Sequence, residues 1–369
     1  MNGDVLVVNA GSTSLKLSLV DRDDVSQSLD SLEAAPRVSG VGHRVVHGGD
    51  RFTGPALLND DVLAELVRLI ELAPLHNAPA IDAIEAARAA LPDVPHVAIF
   101  DTAFHRTLPD IARTYLLPAR YRELGIRRYG FHGLSVEWAA ERVPVPRLVV
   151  CHLGGGSSVT AVRDGRSVDT TMGFTPLEGV PMATRAGSLD PGSLLYLLHH
   201  GVSLEELDHA LEYESGLTAL AGTGDIEAIE ADSSPPALLA LDVYCYRVAQ
   251  AVAAMATALG GLDALVFTAG IGEHSTIIRA SVCRRLDFLG VTIDEKRNRS
   301  VSGNTEIGAS ASSVRVYVIQ SREDIVIARA VRCLLRPSVF TENADHLHRI
   351  FSTARESRGE GDFNSGGGD

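Results

Sequence analysis

Two stretches of the chain share one plan: an apolar strand, a turn packed with Gly and Ser, then a second strand. The first runs from Val5 to Val20 and holds Asn9, Ser12, Ser14 and Lys16; the second runs from Leu148 to Val162 around Gly154, Gly155 and Gly156. A turn without large side chains lets successive backbone N–H groups converge, and such a nest binds anions, phosphate above all. Two nests at equivalent places in two halves point to a phosphate chain gripped from both sides. They predict a duplicated fold with a nucleotide in the cleft between the halves.

A chain of 369 residues is long enough for two domains, each with its own core. The net charge of −14 argues against nonspecific attraction to nucleic acid or to an acidic membrane, so an anionic substrate needs local cations. All but two of the 33 basic residues are Arg. A Lys kept inside a Gly/Ser turn therefore points to a phosphate, beside which a compact ammonium fits better than a planar guanidinium. Lys16 is read that way, and Lys296, in a polar run, as a solvated charge. Cys151, Cys245, Cys283 and Cys333 form no C-x-x-C pair and read as buried thiols of a reducing compartment. The first strand leaves no room for a signal peptide, and the apolar run 248–262, broken by Gln250, Gly260 and Gly261, reads as too short to span a bilayer. These features imply a cytoplasmic protein without a membrane or nucleic-acid partner.

Along the chain, residues 21–37 read as a loop or short helix. Residues 38–49 read as a strand closing on a Gly pair, and Asp60 as the cap of a helix with apolar residues at helical spacing. Residues 79–91 read as a helix, and 94–100 as a buried strand delivering Asp101 at its carboxyl end, where open α/β sheets collect ligands. A helix is expected at 133–142, and the prolines at 144 and 146 mark the boundary between the halves. In the second half, helices near 192–201, 203–214 and 236–259 surround a strand at 264–268 that enters a third glycine turn, 269–273. A strand at 313–320, a helix from Glu323 and a polar, disordered tail from 352 to 369 complete the reading.

No P-loop, dinucleotide fingerprint or nucleophile elbow is present. What remains is Arg44, Asp101, His132 and Arg185, each polar and set in a short rigid segment. Singly, Arg44 reads as a surface ion pair, Asp101 as a helix cap and His132 as a core histidine satisfied by backbone. Beside two anion nests they become parts for phosphoryl transfer, which asks the protein for cations, a metal and in-line positioning.

Four segments, Asn9–Lys16, Gly42–Gly49, Phe100–His105 and Met172–Gly179, resemble the acetate kinase family (acetate and propionate kinases) of the acetate-and-sugar-kinase, heat-shock-chaperone and actin superfamily. The resemblance runs from Val5 to about Arg332. It implies an α/β chain of two duplicated ribonuclease H-like domains, as in actin-like ATPases, with the active site in the interdomain cleft. The first would span 1–146, with a C-terminal helix 323–340 packing back on it, and the second 147–322. It also implies reversible transfer between ATP and acetate, giving acetyl phosphate and ADP, with Mg2+ (or Mn2+) held by Asn9 and Glu323, in a homodimer.

By motif position, Asp101, His132 and Arg185 would be catalytic. Arg44 would hold the carboxylate, and Val46, Leu75, Phe131 and Pro176 would wall the acyl methyl group. Ser12, Ser14 and Lys16 would meet the phosphates. The nucleotide would lie on His152, Leu153, Gly154, Gly155, Gly156, on Asp225, Ile226, Glu227, and on Gly270, Ile271, Gly272, Glu273, His274.

The chain departs from the family at Gly155 and His274, where Asn is usual, at Ala183, where Gly is usual, and at Glu227, which replaces a cation. These departures cluster on the adenosine side. The alternatives are a related short-chain acid kinase (propionate), one with a different nucleotide or pyrophosphate as donor, and a non-catalytic actin-like nucleotide switch.

Overall fold

The protein is described by a computed structural model, which covers residues 3–10, 15–72 and 74–336, with the side chains of 71–76 left aside. Ser12, Ser14, the Leu75 side chain and the tail from 352 lie outside the described residues.

The first sheet holds β1 (Val5–Ala10), β2 (Leu15–Val20), β3 (Ser26–Leu29), β4 (Gly40–Val45), β5 (Ala56–Leu57) and β6 (His96–Phe100), in the order β3-β2-β1-β4-β6-β5. The second holds β7 (Arg147–Leu153), β8 (Ser157–Arg163), β9 (Arg166–Thr170), β10 (Ala264–Thr268), β11 (Thr305–Glu306) and β12 (Arg315–Val318), in the order β11-β12-β10-β7-β8-β9. Adding six to each strand number of the first sheet yields the second. In both, an antiparallel meander of three strands joins two parallel partners and an antiparallel edge. The duplication is therefore one of topology, and the second glycine turn joins β7 to β8, the counterparts of β1 and β2.

Six helices matter here: α1 (Asp60–Arg68), α2 (Pro74–Ala90), α3 (Gly133–Arg142), α4 (Pro191–His199), α5 (Ile226–Ala231) and α6 (Pro235–Leu259). They are followed by α7 (Ala269–His274) and α8 (Glu323–Leu334). One apolar cluster joins the halves: Val7 and Val97 of the first sheet, Val150 and Val266 of the second, and between them Val136 of α3 with Ile325 and Ile327 of α8. The C-terminal helix thus packs on the first sheet. Glycines of β4 allow it to lie flat: a Cβ on Gly42 would come within 2.5 Å of Ile327 and 2.8 Å of Val331. This packing brings Glu323, the first residue of α8, to the carboxyl ends of β1, β4 and β6.

Several elements differ from the sequence reading. Residues 26–29 form β3, because the polar segment pairs with the edge of the hairpin. The cap of α1 is Asn59, whose side chain accepts from the Val62 N–H, with Asp60 already helical. The third glycine turn is a helical turn, α7, entered through Ala269 at φ 66°. The run read as too short for a membrane belongs to α6, a helix of 25 residues that by length and composition alone is long and apolar enough to cross one. One face of it, including Tyr244, Val248, Val252 and Met255, is buried in the core of the second half. Tyr244 Oη also meets Ser157 Oγ at 3.1 Å, which anchors α6 beneath the second glycine turn.

Candidate active site

Three chain segments converge on one guanidinium at the carboxyl end of the first sheet. Arg44, on β4, donates from Nε to Asp101 Oδ1 (2.9 Å) and from Nη2 to Oδ2 (2.6 Å), a bidentate pair. Its Nη1 donates to Asn9 Oδ1 (3.2 Å) at the end of β1 and lies 3.4 Å from Glu323 Oε2. Asn9 Nδ2 closes the ring by donating to that same oxygen (3.1 Å). Asp101 is fully buried just beyond β6, its N–H held by the Val45 carbonyl (3.1 Å).

Burial alone would lower the Arg44 guanidinium; Asp101 and Glu323 overcome that and push it upward. Burial raises Glu323, while Arg44, Asn9 and Lys16 oppose the shift. Lys16 is exposed on β2 as the cross-strand partner of Asn9.

The opposite wall comes from the second half and from α3. His132 sits at φ 60°, ψ 21°, the left-handed region that few non-glycine residues occupy. The residue after it explains the need: a Cβ on Gly133 would collide with the Asp101 carbonyl, which accepts the Gly133 N–H at 3.0 Å. The His132 ring stacks on His152 (centroids 4.0 Å, 15°), and its Nδ1 meets Ser158 Oγ at 2.9 Å. His152 in turn bonds Ser135 Oγ (2.9 Å); burial first, and then the charge of Arg44, lower it to about 3, so it stands neutral.

Arg185, nearly buried, donates to the Pro176 carbonyl (3.3 Å). Burial lowers its guanidinium, with Glu212 opposing. Among the described residues it makes no ion pair, so its charge is available to an anion. A Cβ on Gly156 would stand 3.2 Å from both Arg185 Nη2 and His132 Nε2. The glycine keeps open the space where the two side chains meet.

Beyond the second glycine turn lies a cavity of about 300 Å3. Of the residues expected at the nucleotide, Gly154, Gly155, Asp225, Ile226, Glu227, Gly270, Ile271 and His274 line it, together with Gly224, Glu230 and Ser275, which were not expected. Leu153 and Gly272 are buried in the backbone beneath. Glu273 has a framework role: its Oε1 accepts the Ser321 N–H (2.9 Å), two residues before Glu323. A Cβ on Gly155 or Gly270 would meet open space, so a side chain fits at either place.

Val46 and Phe131 do pack together, with Met172 and Met182, in a small buried cluster apart from the main cores. The two methionines were not foreseen, since loop methionines carry no periodic signal. Pro176 is buried nearby in sequence but contributes its carbonyl to Arg185. Unforeseen too is His47, buried with its Nδ1 accepting from the Gly49 N–H (2.9 Å) and lowered to about 4 mainly by burial.

Comparison with known proteins fits this arrangement. A family model described as the acetokinase family matches residues 24–329. Acetate kinase from Protochlamydia amoebophila (strain UWE25) is 46% identical over 299 residues, covering 79% of this chain and 76% of the relative. Acetate kinase from Nostoc punctiforme (strain ATCC 29133 / PCC 73102) is 45% identical over 302 residues, covering 78% and 75%. Among solved structures, a propionate kinase from Francisella tularensis subsp. tularensis SCHU S4 superposes with TM-score 0.82 at 33% identity, covering 89% of this chain and 98% of that one. Porphyromonas gingivalis acetate kinase superposes with TM-score 0.79 at 30% identity, covering 90% and 100%. The two duplicated halves are thus of the actin-like α/β class. The chain belongs to the acetokinase family, phosphotransferases with a carboxyl group as acceptor.

The buried histidines make stability depend on pH. His105 is fully buried between Ser167 Oγ (2.8 Å) and the Phe131 carbonyl (2.9 Å), and burial lowers it to about 4. Its ordinary value is near 6.5, so between 6.5 and 4 the unfolded chain takes up a proton that the folded one refuses. Stability must fall as pH drops through that window. Replacing His105→Gln should make the slope of unfolding free energy against pH shallower by up to about 1.4 kcal/mol per pH unit there. Urea titrations at several pH values measure it; an unchanged slope would mean that His105 titrates normally.

Proposed function

We propose that the chain transfers a phosphoryl group reversibly between ATP and acetate, giving acetyl phosphate and ADP. The observation that carries this reading is the adjacency of two sets of polar side chains, linked by the Gly133 N–H to the Asp101 carbonyl. On one side Arg44 is shared by Asp101, Asn9 and Glu323; on the other, Arg185 and His132 converge over Gly156. The relatives named above, acetate kinases at 45% and 46% identity, supply the substrate class.

In this reading the acetate carboxylate takes hydrogen bonds from Arg44, oriented by Asp101, while the methyl group faces Val46, Phe131 and Pro176. Arg185 and His132 neutralise charge on the transferring phosphoryl group, and Lys16 meets the phosphate chain. A wall of this kind separates acetate from propionate weakly, since one methylene is worth roughly 1–3 kcal/mol. Asn9 and Glu323 would hold Mg2+ (or Mn2+). Among the described residues no group of three or more His, Cys, Asp or Glu side chains could hold a metal alone. That fits Mg2+, which commonly binds through one or two carboxylates, waters and substrate phosphates. When bound, the ion neutralises charge developing on those phosphates.

The donor end favours a nucleoside over pyrophosphate. A cavity of about 300 Å3 lined by Glu227 and Glu230, and by no Lys or Arg, suits a neutral base and ribose and repels a second anion. Coupled assays with ATP, GTP and pyrophosphate decide it: acyl phosphate should form with ATP, and activity with pyrophosphate alone would reject this donor. Arg185→Ala should lower kcat by at least 100-fold with a small change in nucleotide affinity, as expected for a group acting on transition-state charge. Arg44→Ala should raise the acetate KM most. Equal activity of wild type and Arg185→Ala would favour a non-catalytic switch.

The exposed apolar surface of α4 fits a second copy of the chain. None of its residues is buried, although Leu195, Tyr196, Leu197 and Leu198 are all apolar, and Leu189 and Leu204 beside it are exposed as well. Free cysteines and the acidic charge suit the cytoplasm. Sedimentation equilibrium should give twice the 39.2 kDa chain mass, and Leu195→Asp should shift it toward one. A monomeric wild type would remove the dimer.

A further inference from the structure

Residues 172–178 form a loop without helix or strand, yet little of its backbone is left to solvent. Such a segment must find its hydrogen bonds elsewhere, and here they come from residues of the first half. Arg128 Nη1 donates to the carbonyls of Thr170 (2.9 Å), Thr171 (2.8 Å) and Met172 (3.1 Å), while its Nη2 donates to Glu178 Oε1 (2.7 Å). The other Glu178 oxygen accepts from the Tyr115 hydroxyl. Tyr115 Oη accepts the Phe174 N–H (3.1 Å), and the Tyr129 N–H bonds the Gly173 carbonyl (3.0 Å). The strap is drawn so tight that a Cβ on Gly173 would collide with both Glu178 and Tyr115. Burial, then the bond to Glu178, raise the Tyr115 phenol, so it stays a donor.

The loop has two functional ends. Met172 belongs to the apolar cluster with Val46, Phe131 and Met182, and Pro176 gives its carbonyl to Arg185. Beside it lies a mostly apolar cavity of about 350 Å3, lined by Tyr115, Phe174, Thr175, Leu177, Glu178 and Leu211 among others. The loop therefore has space to retreat into, and what prevents retreat is the strap.

We propose that Tyr115, acting with Arg128 and Glu178, is a specificity-determining positioning residue: it holds the 172–178 loop forward and so caps the alkyl length of the carboxylic acid accepted. The inference rests on the acid kinase reading given above. Loosening the strap lets the loop give way to a longer chain, while the nucleotide side, which the strap does not touch, is unaffected.

The test is Tyr115→Phe, which keeps the ring and removes the hydroxyl. Acyl phosphate formation is measured with acetate, propionate and butyrate as hydroxamate. The kcat/KM ratio of butyrate to acetate should rise about 10-fold, mainly through the acid KM, with the ATP KM within twofold of wild type. Glu178→Gln, which weakens the strap without emptying it, should move the ratio in the same direction by less. It carries the test alone if Tyr115→Phe does not fold. An unchanged ratio, or a loss of kcat equal for all three acids, overturns the inference and leaves a purely structural role. Wild type without acyl phosphate from any acid would overturn both the inference and the function on which it rests.

Discussion

One half-buried guanidinium organises this molecule. Arg44 reaches three chain segments at once: Asp101 beyond β6, Asn9 at the end of β1 and Glu323 at the start of α8. Buried charges are costly unless paired and hydrogen-bonded. Here two carboxylates face one guanidinium, with Lys16 nearby as a second, exposed cation. Removing Arg44 would leave both carboxylates without the cation they share. The cluster also explains why so much of the chain is arranged around it. The glycines of β4 let α8 lie on the first sheet, and the Glu273 bond to the Ser321 backbone fixes the approach to Glu323.

The second half adds what the cluster lacks, a guanidinium that makes no ion pair among the described residues: Arg185 donates to the Pro176 carbonyl. From the first half, His132 is held in a left-handed conformation by the contact of Gly133 with Asp101. The strained backbone and the buried acid are therefore one feature: the same Asp101 supplies a carboxylate to Arg44 and a carbonyl to the turn that aims His132. The neutral His152 ring beneath His132 supports it by stacking, without adding a charge.

Much of this was legible in the amino-acid order. The paired hairpins revealed the duplication, because a Gly/Ser turn between apolar strands has few other uses. Asp101 was visible because a run of apolar residues ended on it, and α3 because its pattern is helical and its bounds are clear. The long-range parts were less visible. Glu227 and His274 could be named from motif position, but Glu230 near the end of α5 and Ser275, the cap that follows α7, enter the same cavity without belonging to any of those motifs. Met172 and Met182 looked like ordinary loop and core residues. Arg128 acts through backbone carbonyls and Tyr115 through a backbone N–H and the Glu178 carboxylate, and backbone groups have no signature in sequence. The turn at 269–273 is helical for a related reason: glycines permit tight turns, and the backbone bond from the Ser275 N–H to the Ile271 carbonyl closes a helical one. The apolar run in α6 looked short because polar residues interrupt it, although Gln250 sits comfortably on a helix.

The account comes down to where a transferring phosphoryl group would sit relative to Arg44 and Arg185. A crystal structure with Mg2+, ADP, acetate and a planar metal fluoride in place of the phosphoryl group measures this directly. The fluoride should lie between the acetate and ADP, within hydrogen-bond reach of Arg185 and His132, with the acetate carboxylate on Arg44 and the base in the cavity beside Ile226. A fluoride bound away from both arginines, or acetate seated on the far side of Asp101, would contradict it.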